Sequence, residues 1–226
     1  MLTLNGVTKT YQLGKETSVM AVRGISLQIE RGEFVIITGR SGSGKTTLLN
    51  LAAGLTRPTS GEVRLEGIQI WSLSDREQSL LRNRKIGFVF QFPSLLPSLT
   101  VLDNVALPTT FGTNHTQPSA TYRAAELLDM VGLSDKLQAY PRQLSAGQQQ
   151  RVVVARSLIN RPEILMADEP TSNLDEQTER EIMDLFRDIH TKTGITFVLV
   201  THTSQLVSYG TRSIEMASGV IVKEHT

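Results

Sequence analysis

Apolar residues fall into distinct patterns along the chain. Ile25, Leu27 and Ile29 alternate with polar neighbours, the period of two expected of a strand with one face on a core. Residues 2–7 share that character, so 2–7 and 20–30 are predicted strands and the first ~30 residues are antiparallel in kind. FVIIT (34–38), IGFVF (86–90), EILMAD (163–168) and ITFVLV (195–200) are short continuous apolar runs, as expected of strands buried on both faces. Helical spacing marks KTTLLNLAAGL from Lys45 and the segments at about 120–131, 147–160 and 175–192. Ser74 with Glu77 makes a capping box that opens a further helix through about Arg84. EVRLE (62–66) reads as an edge strand, and SIEMA and VIVKE as short closing strands joined by a Ser-Gly turn.

The texture changes at residue 91. Pro93, Pro97 and Pro108 and a polar loop at 112–119 separate helices, and no convincing strand occurs between 91 and 162. From 163 onward strand and helix alternate, the mark of a parallel sheet with crossover helices. The pattern predicts an α/β fold in one domain over 1–226. Residues 1–90 and 163–226 form a core carrying an antiparallel β subdomain, with a helical subdomain inserted at 91–162.

Composition narrows the chemistry. The chain has no cysteine, which excludes disulfides, cysteine-ligated zinc and thiol catalysis and fits a reducing compartment. Its longest apolar runs fall far short of the roughly 20 residues of a membrane span, and MLTLNGVTKTYQLG has no export-signal character, so a cytoplasmic location is expected. A net charge of +1 gives no electrostatic case for nucleic acid, and RNRK (82–85) reads as a solvated helix end.

Three short stretches carry candidate chemistry. GRSGSGKTT (39–47) fits G-x-x-x-x-G-K-[ST] between a strand and a helix. Gly39, Arg40, Ser41, Gly42, Ser43, Gly44, Lys45, Thr46 and Thr47 are therefore a candidate phosphate site. Glycines let backbone N–H groups face phosphate oxygens, Lys45 reaches the β and γ phosphates, and Thr46 offers a hydroxyl to Mg²⁺. ILMADEP (164–170) ends an apolar strand in two carboxylates, Asp168 suited to Mg²⁺ and Glu169 to polarising an attacking water. LSAGQQQR (144–151) opens a helix with a hydroxyl and small residues, so its unpaired N–H groups and dipole suit an anion.

The order and spacing of these stretches resemble the nucleotide-binding domain of ATP-binding cassette (ABC) proteins, with LSAGQ similar to the family signature L-S-G-G-Q. The resemblance spans essentially the whole chain and implies a P-loop NTPase core of the ABC ATPase type. It also implies a Q-loop glutamine at Gln91, serving as a catalytic and metal-sensing residue, and a D-loop at SNLD (172–175) that ends in Asp175. It implies a switch histidine at His202 that meets the γ-phosphate, and an adenine-stacking aromatic at Tyr11. Ser145, Gly147 and Gln148 then face the γ-phosphate held by a second copy, in an ATP-dependent head-to-tail homodimer. Asp175 is also a candidate N-cap for a helix over 176–190.

With no span of its own, such a chain is expected to drive a separate integral membrane permease from the cytoplasmic face. QFPSLLPSLTVLDNVALP (91–108) is the expected docking region, and resemblance to lipoprotein-release, macrolide-export and cell-division ATPases implies export or mechanical transmission. Cargo selectivity would reside in the permease. The alternative is a soluble or regulatory ABC ATPase not coupled to transport, distinguished by whether a permease raises ATP turnover. Two residues depart from the family pattern. Ala146 stands at a glycine position of the signature, where any positive-φ backbone is disfavoured and dimer closure is expected to weaken or slow. Asn173 stands where alanine is common and is expected to alter contacts across the dimer.

Overall fold

The alternating N-terminal segments form a long hairpin: β1 (Leu2–Gln12) pairs antiparallel with β2 (Ser18–Ile29), from Leu2↔Ile29 to Gln12↔Ser18. β1 runs five residues past the predicted limit because its register shifts between Leu4 and Val7. The shift moves buried positions from even to odd numbers, so the period of two is interrupted while pairing continues. In this computed structural model, which describes residues 1–12, 14, 17–112 and 117–225, the next elements are β3 (Phe34–Thr38), α1 (Lys45–Ala52), β4 (Ser60–Leu65) and β5 (Ile68–Gln69). They are followed by α2 (Asp75–Lys85), β6 (Ile86–Val89), α3 (Val101–Ala106), α4 (Gln117–Met130) and α5 (Ala146–Leu158). The chain closes with β7 (Ile164–Asp168), α6 (Glu176–Thr193), β8 (Thr196–Val200), β9 (Arg212–Ala217) and β10 (Val220–His225). Residues 113–116 of the expected polar loop, His115 among them, lie outside the described residues.

The chain divides into two units, Met1–Ser79 with Thr196–Thr226, and Leu80–Ile195. In the first, an antiparallel sheet runs β2-β1-β4-β5. Beside it β3 pairs parallel with both β8 and β9, and β9 pairs antiparallel with β10. The continuous apolar runs of β3 and β8 are buried along their length, as parallel strands covered on both faces require, and Phe34 stacks at 4.8 Å on Phe197 of β8.

In the second unit β6 and β7 pair parallel, from Ile86↔Ile164 to Val89↔Ala167. Helices α3, α4 and α5 pack on one another, and α5 also packs on β6 and α6. β6 comes close to α5 because residue 87 is glycine: a Cβ there would lie 2.5 Å from the Ser157 carbonyl oxygen. Among the described residues no strand occurs between 91 and 162, as the pattern predicts. The six-residue α3 is not predicted, being too short to show a helical period. It is specified by its contacts: Thr100 caps it, and the fully buried Asn104 accepts the Leu96 N–H at 2.8 Å and donates to the carbonyls of Leu96, Leu99 and Thr100.

Candidate functional site

The loop after β3 is shaped by what surrounds it. A Cβ at Gly39 (φ 149°) would lie 2.3 Å from the Met216 carbonyl oxygen, and one at Gly44 (φ 100°) 2.2 Å from that of Ala21. Strands β2 and β9 thus press on the loop closely enough to require glycine at both places. The Ser43 carbonyl accepts the Gly219 N–H at 3.0 Å, tying the loop to the β9–β10 turn. Gly44 caps α1 in the left-handed conformation and supplies no side-chain acceptor, and the positive end of the α1 dipole stands at this loop. Lys45 is buried at the start of that helix, its ammonium donating to the carbonyls of Gly39 at 2.7 Å and Arg40 at 3.1 Å. The Ser43 hydroxyl is buried and has no hydrogen-bond partner among the described residues, the kind of group a phosphate oxygen satisfies. Arg40, Ser41, Gly42 and Thr46 are exposed along the same loop and first turn.

The parallel pairing of β3 with β8 brings His202 to the same edge of this sheet. The buried Thr201 donates its N–H to the Ile37 carbonyl at 3.0 Å, and His202 follows it, exposed, at the carboxyl end of β8. Tyr11 sits on β1 at 37 % exposure with the Lys9 ammonium 5.2 Å from its ring centroid.

In the second unit, Gln91 and the two carboxylates stand at the carboxyl ends of adjacent parallel strands, because Val89 of β6 is in register with Ala167 of β7. Glu169 holds a left-handed backbone (φ 44°), and the Ser172 N–H donates back to its carbonyl at 3.3 Å. This turn returns Ser172 to Gln91, whose Nε2 donates to the Ser172 hydroxyl at 3.2 Å. A non-glycine residue with positive φ is locally strained, and such residues concentrate at functional positions. Ser172 is not among the sequence-predicted site residues; its placement depends on the turn at Glu169, which no residue-type pattern announces.

The signature stretch starts α5 with a reciprocal box: the Gln148 N–H donates to Ser145 Oγ at 3.2 Å and the Ser145 N–H to Gln148 Oε1 at 3.0 Å. Ala146 occupies the first helical position and is absent from the positive-φ residues, which corrects the expectation of backbone strain there: a first-turn helical residue has negative φ, and alanine suits it. Gly147 is the position where a side chain would meet a neighbour, since its Cβ would lie 2.5 Å from Thr178 Cγ2 on α6. Asp175 N-caps α6, accepting from the Thr178 N–H at 3.0 Å and from the Thr178 hydroxyl at 2.7 Å. The starts of α5 and α6 are therefore adjacent and meet at Thr178, another residue absent from the sequence-predicted site residues.

Two outcomes follow from this junction. Gly147→Ala is expected to cost about 1–3 kcal/mol of stability through overpacking and to lower ATP turnover about tenfold. Thr178→Ser should restore both, because it deletes Cγ2 and keeps the hydroxyl bonded to Asp175. Thermal unfolding and phosphate release on the single and double variants check this. The second outcome concerns acid. The Thr178 N–H, and then its hydroxyl, hold the Asp175 carboxyl below its ordinary value; the Ser74 hydroxyl, and then its N–H, do the same for Glu77. Groups with depressed folded-state values stabilise the fold in full above their unfolded-state values, and that stability is lost as pH falls through the folded ones. Asparagine keeps one side-chain oxygen to accept the Thr178 N–H but loses the second acceptor that takes the Thr178 hydroxyl, and it does not titrate. The unfolding-temperature difference between the parent and Asp175→Asn should therefore narrow as pH falls from about 5 to about 3.

A strand, a glycine-shaped loop and a helix opening on a buried lysine define the P-loop class of nucleotide-binding α/β proteins. Residues 22–172 match the family model described as ABC transporter. The chain is 48% identical over 221 residues to an uncharacterized ABC transporter ATP-binding protein of Thermotoga maritima, covering 98% of this chain and 93% of that protein. It is 43% identical over 223 residues to the lipoprotein-releasing system ATP-binding protein LolD of Pseudomonas syringae pv. tomato, covering 99% and 97%. A solved dimer of the ATP-binding cassette MJ0796, in a post-hydrolysis state bound to ADP and Pi, superposes with a TM-score of 0.91 at 42% identity, covering 100% of this chain and 98% of that one. The chain belongs to the ABC transporter family.

Proposed function

We propose that this chain is the ATP-binding and ATP-hydrolysing subunit of an ABC transporter, closing as a homodimer around two ATP and driving a separate integral membrane permease. The single observation that carries the reading is the pair of complementary anion sites. One is the glycine-shaped loop with buried Lys45 and the unpartnered Ser43 hydroxyl; the other is the start of α5 at Ser145 and Gly147. Each suits phosphate, and neither alone surrounds it. The dimeric MJ0796 cassette supports ATP-linked pairing of two such chains.

In the closed dimer, Lys45 exchanges the Gly39 and Arg40 carbonyls for β- and γ-phosphate oxygens, and Tyr11 stacks on adenine. Ser145, Gly147 and Gln148 of one copy meet the γ-phosphate held by the other, with Asp175 acting across the junction. Glu169 polarises the attacking water, and His202 donates to the γ-phosphate. The oxygen donors of Thr46, Asp168 and Gln91 fit Mg²⁺, and with Gln91 Nε2 donating to Ser172 the amide oxygen is the atom suited to the metal or its water. When bound, Mg²⁺ neutralises charge developing on the phosphates. Residues 1–226 act as one cassette, with 1–90 and 163–226 as its core and 91–162 as the helical part that meets the permease. Among the described residues no helix is long and apolar enough to cross a membrane, so transport requires that partner. The likeness to the lipoprotein-releasing protein supports export or mechanical transmission, powered from the cytoplasmic face.

The test is recovery of the tagged chain from membranes of its host in mild detergent. A co-purifying integral membrane protein that raises ATP turnover is the expected result. Recovery without any membrane protein, at unchanged turnover, would overturn the permease assignment.

A further inference from the structure

Side-chain bonds tie down the stretch between β7 and α6 at Thr171, Ser172 and Asp175. At Thr171 the hydroxyl donates to Glu179 Oε2 at 2.7 Å. Thr171 is only 3 % exposed and stands two residues after Glu169. Backbone bonds carry its placement both ways along the turn. The Ser172 N–H donates to the Glu169 carbonyl at 3.3 Å, and the Leu174 N–H to the Thr171 carbonyl at 3.0 Å. Glu179 is half-buried in the first turn of α6, its own N–H donating to the Asp175 carbonyl at 2.8 Å, so a helix rather than a loop presents its carboxylate.

We propose that Glu179 is a positioning residue for ATP hydrolysis: by holding the Thr171 hydroxyl it fixes the turn that aims the Glu169 carboxylate at the attacking water. The inference rests on Glu169 being the residue that polarises that water, and adds what keeps it in place. Glu169 has a left-handed backbone at φ 44°, and a non-glycine residue keeps such a conformation only where its surroundings over-determine it. Pro170 lies between Glu169 and Thr171, and its ring fixes φ, so a shift of Thr171 is passed on to Glu169. A hydroxyl bonded to a carboxylate is among the stronger side-chain bonds, and burial of the threonine shields it from competing water. Without an acceptor at 179 that hydroxyl is a buried donor lacking its partner, and the turn gains by rotating it toward solvent. A misplacement on the order of 1 Å is enough to slow a chemical step. The phosphate loop between β3 and α1 takes no part in this bond, so the tie acts on the rate of hydrolysis and leaves ATP affinity unchanged.

Single-turnover hydrolysis by the full chain at saturating ATP, with affinity from calorimetric titration, tests this. Glu179→Ala is expected to lower the rate about tenfold at unchanged affinity, and Thr171→Val, which keeps the branched shape and removes the hydroxyl, to do the same. Combined, they should lower it no further than either alone. Glu179→Gln keeps an oxygen that accepts the hydroxyl and should hold the rate within about twofold of the parent. In a Glu169→Gln background, Glu179→Ala should leave the residual rate nearly unchanged, since no general base remains to be misplaced. The same fractional loss in both backgrounds would mark a role confined to the stability of α6 and overturn the proposal, as would a loss in affinity instead of rate. The Glu179 variants carry the test even where Thr171→Val perturbs the fold. Parental rates in Glu179→Ala and Thr171→Val, with Glu169→Gln still slow, would overturn the positioning role and leave the catalytic reading standing. A parental rate in Glu169→Gln would overturn both.

Discussion

Glu169→Gln is expected to lower ATP turnover by about 10²–10⁴-fold, the usual contribution of a positioned general base, while nucleotide still binds. An amide has nearly the shape of a carboxylate but cannot accept the proton of the attacking water. The residue's backbone makes the substitution a clean one. Glu169 is held at φ 44° between β7 and the turn that returns Ser172, and glutamine meets the same steric cost there as glutamate. The local backbone is therefore retained, and the loss falls on chemistry. Phosphate-release kinetics measure the rate, and size-exclusion with ATP should show the variant accumulating as a dimer where the parent returns to monomer. Turnover equal to that of the parent would remove Glu169 from the mechanism.

Lys45→Ala is expected to weaken ATP binding by about 2–5 kcal/mol, roughly 30- to 5,000-fold, as truncation of a buried hydrogen-bonded charge does. The ammonium is buried and already faces inward, donating to the carbonyls of Gly39 and Arg40. Removing it deletes the cation that offsets the β and γ phosphates and leaves those two carbonyls without that donor. Adenosine alone should bind both proteins about equally, since the loss is confined to phosphate contacts. Calorimetric titration with ATP and with adenosine separates the two terms, and parallel losses for both ligands would instead indicate a collapsed loop.

Much of this site was legible in the chain because its determinants are local. Gly39, Gly44 and Lys45 sit within one strand-loop-helix passage, and capping residues act three positions away, as Ser74 with Glu77 does. Asp175 caps α6 as the sequence reading anticipates. What stayed hidden depends on contacts distant in sequence or on backbone angles. Arg156 reads as one more charge on a helix until its guanidinium is seen on the carbonyls of Pro93 and Ser94, more than sixty residues away. At Ala146 only the backbone part of the expectation is answered: a family glycine suggests a special backbone, whereas Ala146 has none and the close approach falls on Gly147. Asn173 is exposed, and nothing within one chain explains its presence. Glu169 carries no local mark of its left-handed backbone, because the strain is imposed by the turn after it.

The box at the start of α5 has a consequence for selectivity between charge states. Ser145 Oγ already accepts the Gln148 N–H, so its own hydrogen is the part turned toward a visitor. A hydroxyl in that role rewards an unprotonated phosphoryl oxygen and gains nothing from a P–OH group pointed at it. In the proposed dimer the Ser145 hydroxyl can thus donate to a phosphoryl oxygen of the facing nucleotide while its oxygen keeps the cap on α5.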